Sequence, residues 1–171
     1  MQLRTTRADD AADLAALYGA AFPNEDLRPL VRRLLSEVPD ILSLVAEFED
    51  GLAGHVMFTP CSIGGSSKRV ALLGPLAVAP AMQKRGVGTA LVQGGIATLR
   101  NLGYTRVLVL GDPHYYSRFG FKPEAWIQPP YTLPDDWSGA WQGQALQADA
   151  APIEGLLCPP APWMVTSLWT P

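Results

Sequence analysis

Apolar positions along the chain switch between two periods. Leu14, Leu17, Tyr18 and Ala21 fall on one helical face, with Asp9-Asp10 ahead of them as an N-cap and Pro23 closing the helix. Leu27, Leu30, Val31, Leu34 and Leu35 make a second helical stripe. It begins near Asp26, carries Pro29 in its first turn, where a missing amide costs little, and ends at Pro39. The pattern then turns to strands. Met1–Thr6 reads as a short edge strand, Ile41–Phe48 as a strand, Glu49-Asp50-Gly51 as a hairpin turn and Leu52–Ile63 as the returning strand. After the turn Gly64-Gly65-Ser66-Ser67, Lys68–Val78 is the next strand, stopped by Pro80. Leu91, Val92, Gly95-Ile96, Leu99 and Leu102 return to helical spacing from about Gly86, and Gly103 supplies the stop. Thr105–Leu110 is a β-branched, apolar strand.

Strand, two helices, a three-strand hairpin meander and a strand-helix-strand crossover imply a mixed α/β sheet. It is mostly antiparallel, and the strands carrying Val78 and Val107 form its one parallel pair. Beyond Lys122 the character changes, with all five Trp and nine of the sixteen Pro. That stretch is expected to wrap the core as short strands and loops anchored by Trp137, Trp141, Trp163 and Trp169; a substrate lid or dimer surface is the alternative. The whole of 1–171 is expected to be one domain.

Charge sharpens the picture. The net charge of −3 argues against a general nucleic-acid binder. Between Gly51 and Lys122, however, there are eight Lys/Arg and one acid, Asp112, so the middle of the chain suits an anionic ligand. No apolar run is long enough to span a membrane. The start lacks a signal-peptide core, and Cys61 and Cys158 show no metal-ligand spacing, so a cytoplasmic protein with reduced thiols and no metal is expected. A Cys61–His55 nucleophile pair is ruled out in an extended strand, where six residues span about 20 Å.

Gln83-Lys84-Arg85-Gly86-Val87-Gly88 places two cations and two glycines in the turn between strand and helix. The first amides of a helix lack internal partners and carry partial positive charge, and glycine lets an anion approach the backbone. Gly88 is followed by Thr89-Ala90 rather than Lys-Ser/Thr, and Leu91 occupies the third glycine position of a dinucleotide fingerprint, so neither of those phosphate motifs fits. The stretch resembles the acetyl-CoA motif of the GNAT superfamily of N-acyltransferases, Gln/Arg-x-x-Gly-x-Gly/Ala after a Leu-x-Val-x-Pro strand end, matched here by Leu76-Ala77-Val78-Ala79-Pro80. A second signature, a Tyr four residues before Gly-Phe, is matched by Tyr116 and Gly120-Phe121.

The resemblance covers roughly residues 1–122. It implies a GNAT-like mixed sheet whose parallel pair splays apart, helices on both faces, acetyl-CoA as co-substrate and a small-molecule or peptide amine as acceptor. It implies that Gln83, Lys84, Arg85, Gly86, Val87, Gly88 and Thr89 hold the pyrophosphate and that Leu76, Ala77 and Val78 pair with the pantetheine arm. The Leu76 or Val78 amide would face the thioester carbonyl, past a bulge at Gly74-Pro75. Tyr116 becomes the candidate acid for the departing thiolate. Many family members carry a Glu on the cofactor strand, whereas Val70–Val78 contains no acid. His55 is then a candidate base, His114 and Asp112 lie near the second signature, and Asp112-Pro113 reads first as a turn and N-cap. Glu25, Asp26, Glu37 and Asp40 on the N-terminal helices would favour a cationic amine. A non-catalytic acyl-CoA-binding domain, a longer acyl group and a homodimer all stay open.

Overall fold

A computed structural model describes residues 1–148 and 152–170. The chain forms two compact units, Met1–Phe58 with Gly74–Ala97, and Thr59–Leu73 with Thr98–Pro171.

The first unit starts with β1 (Gln2–Thr5), α1 (Ala11–Ala21), α2 (Arg28–Glu37) and β2 (Leu42–Phe48). It also takes the first part of β3 (Gly51–Ile63), the last part of β4 (Ser66–Val78) and the start of α3 (Val87–Asn101). β1 runs antiparallel to β2, and β2 to β3, with a bulge between Ala46 and Glu47. The helix faces expected from periodicity are the buried ones, Leu14, Leu17 and Tyr18 on α1 and Leu30, Val31 and Leu34 on α2. Ala21 and Leu27 are half-buried, and two further expected core residues are exposed. Leu35 ends up 37% exposed, and Leu102, beyond the last turn of α3, 50% exposed. Two glycines let α3 approach its neighbours. A Cβ on Gly54 would lie 2.8 Å from Val87, and one on Gly95 would overlap the Phe58 ring.

Asp10 does not cap α1 through its side chain, as its position suggested. Its carboxylate instead accepts from the Arg7 amide at 2.7 Å and from both terminal nitrogens of Arg4 at 2.8 Å, while Arg4 Nε donates to Glu47 at 2.9 Å. The Arg4 guanidinium holds the Asp10 carboxyl down at about 2.

The second unit holds β5 (Arg106–Leu110), α4 (Pro113–Tyr116), β6 (Lys122–Pro123), β7 (Ile127–Gln128), β8 (Trp141–Ala145) and β9 (Gly155–Cys158). Here β4 pairs parallel with β5, from Val70–Arg106 to Leu73–Val109, and the ladder stops there. Val107 therefore lies opposite Ala71, and Val78 is beyond the ladder. β5 and β6 are each antiparallel to β8, and β9 is antiparallel to the end of β3. A two-residue ladder between β7 and β9 also runs parallel, which the sequence did not suggest. Trp141, Trp163 and Trp169 are buried packing anchors. Each ring N–H finds an acceptor: Ile127 O at 2.7 Å, Thr59 Oγ1 at 3.0 Å and Trp163 O at 2.8 Å. Trp137 is half-buried and Trp126 is exposed.

Two outcomes follow for stability. Gly95→Ala drives a methyl into Phe58 and should lower urea-measured stability by about 1–3 kcal/mol; an unchanged midpoint would mean the ring is free to move. Asp10→Asn should be destabilised at pH 7. Because the native carboxyl titrates below its unfolded value, its contribution is present above about pH 4 and fades as pH falls toward 2. The gap between wild type and variant should close over that range; a gap constant with pH would contradict the ion pair.

Candidate active site

β4 ends in an irregular segment. Gly74 takes φ 143°, a backbone that residues with a Cβ rarely adopt, and the Gly74-Pro75 peptide is cis. Past it, the Ala79 amide donates to Ala53 O at 2.9 Å. Backbone groups alternate in direction along a strand, so Ala77 also faces β3, while the groups of Leu76 and Val78 lie on the opposite edge. The Val78 carbonyl accepts from Gln83 Nε2 at 3.3 Å, so Gln83 ties the turn to the strand end.

The turn is a short 3-10 segment, Pro80–Met82, followed by Lys84 at φ 59° and Gly86 at φ 83°. The first α3 bond runs from the Ala90 amide to Gly86 O at 2.9 Å. The amides of Val87, Gly88 and Thr89 precede it and are the helix's unpaired donors. Space beside Gly86 is open, since an added Cβ would meet nothing within 4 Å. Gln83, Lys84 and Arg85 are exposed, whereas the Val87 side chain points into the core. Open backbone donors, two exposed cations and a helix N-terminus fit a phosphate-bearing ligand.

His55 is fully buried on β3. Its Nδ1 is 2.9 Å from the Tyr18 hydroxyl and its Nε2 is 2.7 Å from Ser43 Oγ. Both ring nitrogens are thus occupied, and burial pushes the imidazole pKa down to about 3. That environment suits a neutral group acting through its neighbours.

In the second unit, Asp112 caps α4, its Oδ1 accepting from the His114 amide at 2.9 Å. Tyr116 packs edge-on against Phe121, and Gly111 lies so close to its ring that a Cβ would overlap it. Burial raises the Tyr116 phenol, which stays protonated at neutral pH, and its hydroxyl makes no hydrogen bond among the described residues. Cys61 is free and burial pushes its thiol up to about 12, which removes it as a nucleophile. The described residues contain no metal-binding cluster.

Between α1 and α2 a cavity of about 120 Å³ is lined by Leu14, Tyr18, Val31, Leu35, Arg28 and Arg32, among others. Two of the acids expected to attract a cationic amine are already matched: Asp26 pairs with Arg28 at 2.6 Å and Glu37 with Arg33 at 2.9 Å.

A profile of the acetyltransferase (GNAT) family matches residues 11–121. The chain belongs to this family. It is 35% identical over 157 residues to the N-acetyltransferase YjhQ of Escherichia coli K12, covering 88% of this chain and 87% of that one. Among solved structures it is similar to the family member YhbS of Escherichia coli in complex with CoA, with TM-score 0.82, 30% identity and coverage of 91% and 87%. A Brucella melitensis family member in complex with acetyl-CoA gives TM-score 0.76, 33% identity and coverage of 95% and 97%. Likeness to an aminoglycoside 6'-acetyltransferase type Ii, at 17% identity and TM-score 0.68, is likeness of fold alone.

Tyr18 and Ser43 escaped the sequence reading. In the sequence Tyr18 reads as an apolar helix position and Ser43 as a strand residue. The signal was the hairpin register: Ser43 pairs with Met57, which puts His55 on the same face diagonally opposite.

A nitrogen-detected NMR titration should find the His55 ring neutral down to about pH 4. Native stability held by the neutral ring is full above about pH 6.5 and fades as pH falls toward 3. Protonation of His55 between pH 6 and 7 would contradict the buried, doubly engaged ring.

Proposed function

We propose that this chain transfers an acetyl group from acetyl-CoA to a primary amine by direct attack within a ternary complex. The observation that carries the reading is the open turn at the end of β4, in a chain 30–33% identical to family members solved with CoA and acetyl-CoA.

The residues present suit acetyl-CoA. Val87, Gly88 and Thr89 offer amides to the pyrophosphate, with Arg85 and Gly86 beside them and Lys84 and Arg85 adding charge. Leu76, Ala77 and Val78 would align the pantetheine arm, and Gln83 holds the strand end to the turn. In the reaction the amine lone pair attacks the thioester carbon. The C–N bond forms, the C–S bond breaks with its electron pair leaving on sulfur, and the nitrogen passes a proton to solvent water, which restores the proton that Tyr116 gives up. An amide at Leu76 or Val78 stabilises the carbonyl oxygen as charge develops. Tyr116, kept protonated by burial, donates its proton to the thiolate. The reaction runs in the cytoplasm, consistent with two free cysteines and with no helix among the described residues long and apolar enough to cross a membrane.

Thiol release from acetyl-CoA in the presence of a panel of primary amines tests the reading. Amine-dependent release is expected, and no release above the amine-free rate with any of them would overturn it. Tyr116→Phe should lower kcat by about 10²-fold or more while KM for acetyl-CoA changes less than about threefold. Unchanged turnover would remove Tyr116 as the acid.

A further inference from the structure

One polar chain in the first unit has no part in that chemistry. Thr6 Oγ1 is 2.6 Å from Ser43 Oγ, Ser43 Oγ is 2.7 Å from His55 Nε2, and His55 Nδ1 is 2.9 Å from the Tyr18 hydroxyl. The Tyr18 hydroxyl in turn lies 3.5 Å from the Pro75 carbonyl oxygen, at the irregular end of β4. Ser43, His55 and Tyr18 are all buried, where apolar side chains of similar shape would pack without desolvating four polar groups. Such a network needs a reason beyond filling space.

The hydrogens of this chain can run in either of two directions. If His55 carries its proton on Nε2, it donates to Ser43, and Tyr18 spends its hydrogen on Nδ1. The Pro75 carbonyl then receives nothing from Tyr18. If the proton is on Nδ1, His55 donates to Tyr18, Ser43 donates to Nε2, Thr6 donates to Ser43, and the Tyr18 hydrogen is free for Pro75 O. Only the second direction gives every donor in the chain an acceptor within it.

The Pro75 carbonyl and the Leu76 N–H belong to one planar peptide unit and point to opposite sides. Fixing the oxygen therefore fixes the direction of the amide. Leu76 lies on the β4 edge away from β3, as the Ala79–Ala53 bond shows by alternation. We propose that Tyr18 and His55 are a positioning pair for the cofactor strand: with His55 protonated on Nδ1, Tyr18 anchors the Pro75 carbonyl and so aims the Leu76 amide at the carbonyl oxygen of a bound thioester. The inference rests on the acetyl-CoA reading and adds to it which amide acts and what holds it. Tyr18 and His55 work through the peptide and touch neither substrate.

Two measurements test it. Nitrogen NMR of the wild-type protein should show His55 as the Nδ1–H tautomer; the Nε2–H tautomer would overturn the inference. Calorimetry with acetyl-CoA and free CoA reads the amide itself, because only acetyl-CoA has the thioester carbonyl. Wild type should prefer acetyl-CoA, and Tyr18→Phe should erode that preference by about three- to tenfold with CoA affinity unchanged. In turnover, Tyr18→Phe should lose about 10- to 100-fold in kcat with little change in KM. Ser43→Ala, which removes the donor at the far ring nitrogen, should shift the preference in the same direction and serves if Tyr18→Phe does not fold. A wild type that binds neither ligand overturns the acetyl-CoA reading and this inference with it. A wild type that prefers acetyl-CoA beside variants that keep the full preference overturns this inference alone.

Discussion

A strand cannot leave its backbone N–H and C=O groups unpaired in a dry interior, and β4 meets that demand in two ways along its length. From Val70 to Leu73 it pairs with β5 in a regular parallel ladder. Beyond Leu73 the ladder with β5 stops while β3 stays its neighbour on the other edge: the Ala79 amide donates to Ala53 O, the Tyr18 hydroxyl lies 3.5 Å from Pro75 O, and Val78 O accepts from the Gln83 side chain. Proline at 75 removes one donor outright. By alternation the amides of Leu76 and Val78 lie on the outer edge, where the proposed ligand, with amide and carbonyl groups of its own, would meet them. The turn that follows adds the unpaired amides of α3 and two exposed cations, so one continuous stretch offers both hydrogen-bond partners and positive charge.

The buried imidazole fits the same demand. A desolvated histidine is tolerated when both nitrogens are bonded, as those of His55 are, and burial pushes its pKa down, which favours the neutral ring. That environment favours a positioning role for His55 over one as a base. Val70–Val78 on the cofactor strand contains no acid.

Much of this was legible in the sequence because the strongest signals were local. Pro80, the glycines at 86 and 103, and the 3.6-residue spacing of Leu91, Val92, Ile96 and Leu99 each act within a few residues, and the elements they mark lie within one or two residues of expectation. The GNAT motifs were readable for the same reason. What was hidden depends on register between distant segments. Nothing local says that Tyr18 on a helix and Ser43 on a strand converge on His55, and Leu35 and Leu102 matched the apolar period yet fell at the edge of what their helices bury. The two-residue β7–β9 ladder is too short for any periodicity to reveal.

The central claim is that acetyl-CoA binds at the turn after β4. A calorimetric titration of the wild-type protein and of Gly86→Glu with acetyl-CoA, with NAD as comparison ligand, tests it most directly. At Gly86 a side chain faces a strained φ of 83°, and glutamate adds a charge that repels phosphate. The account predicts saturable acetyl-CoA binding by wild type, none of NAD, and affinity weakened by about tenfold or more in the variant. Absence of acetyl-CoA binding at millimolar concentration, or equal affinity in the variant, would contradict it.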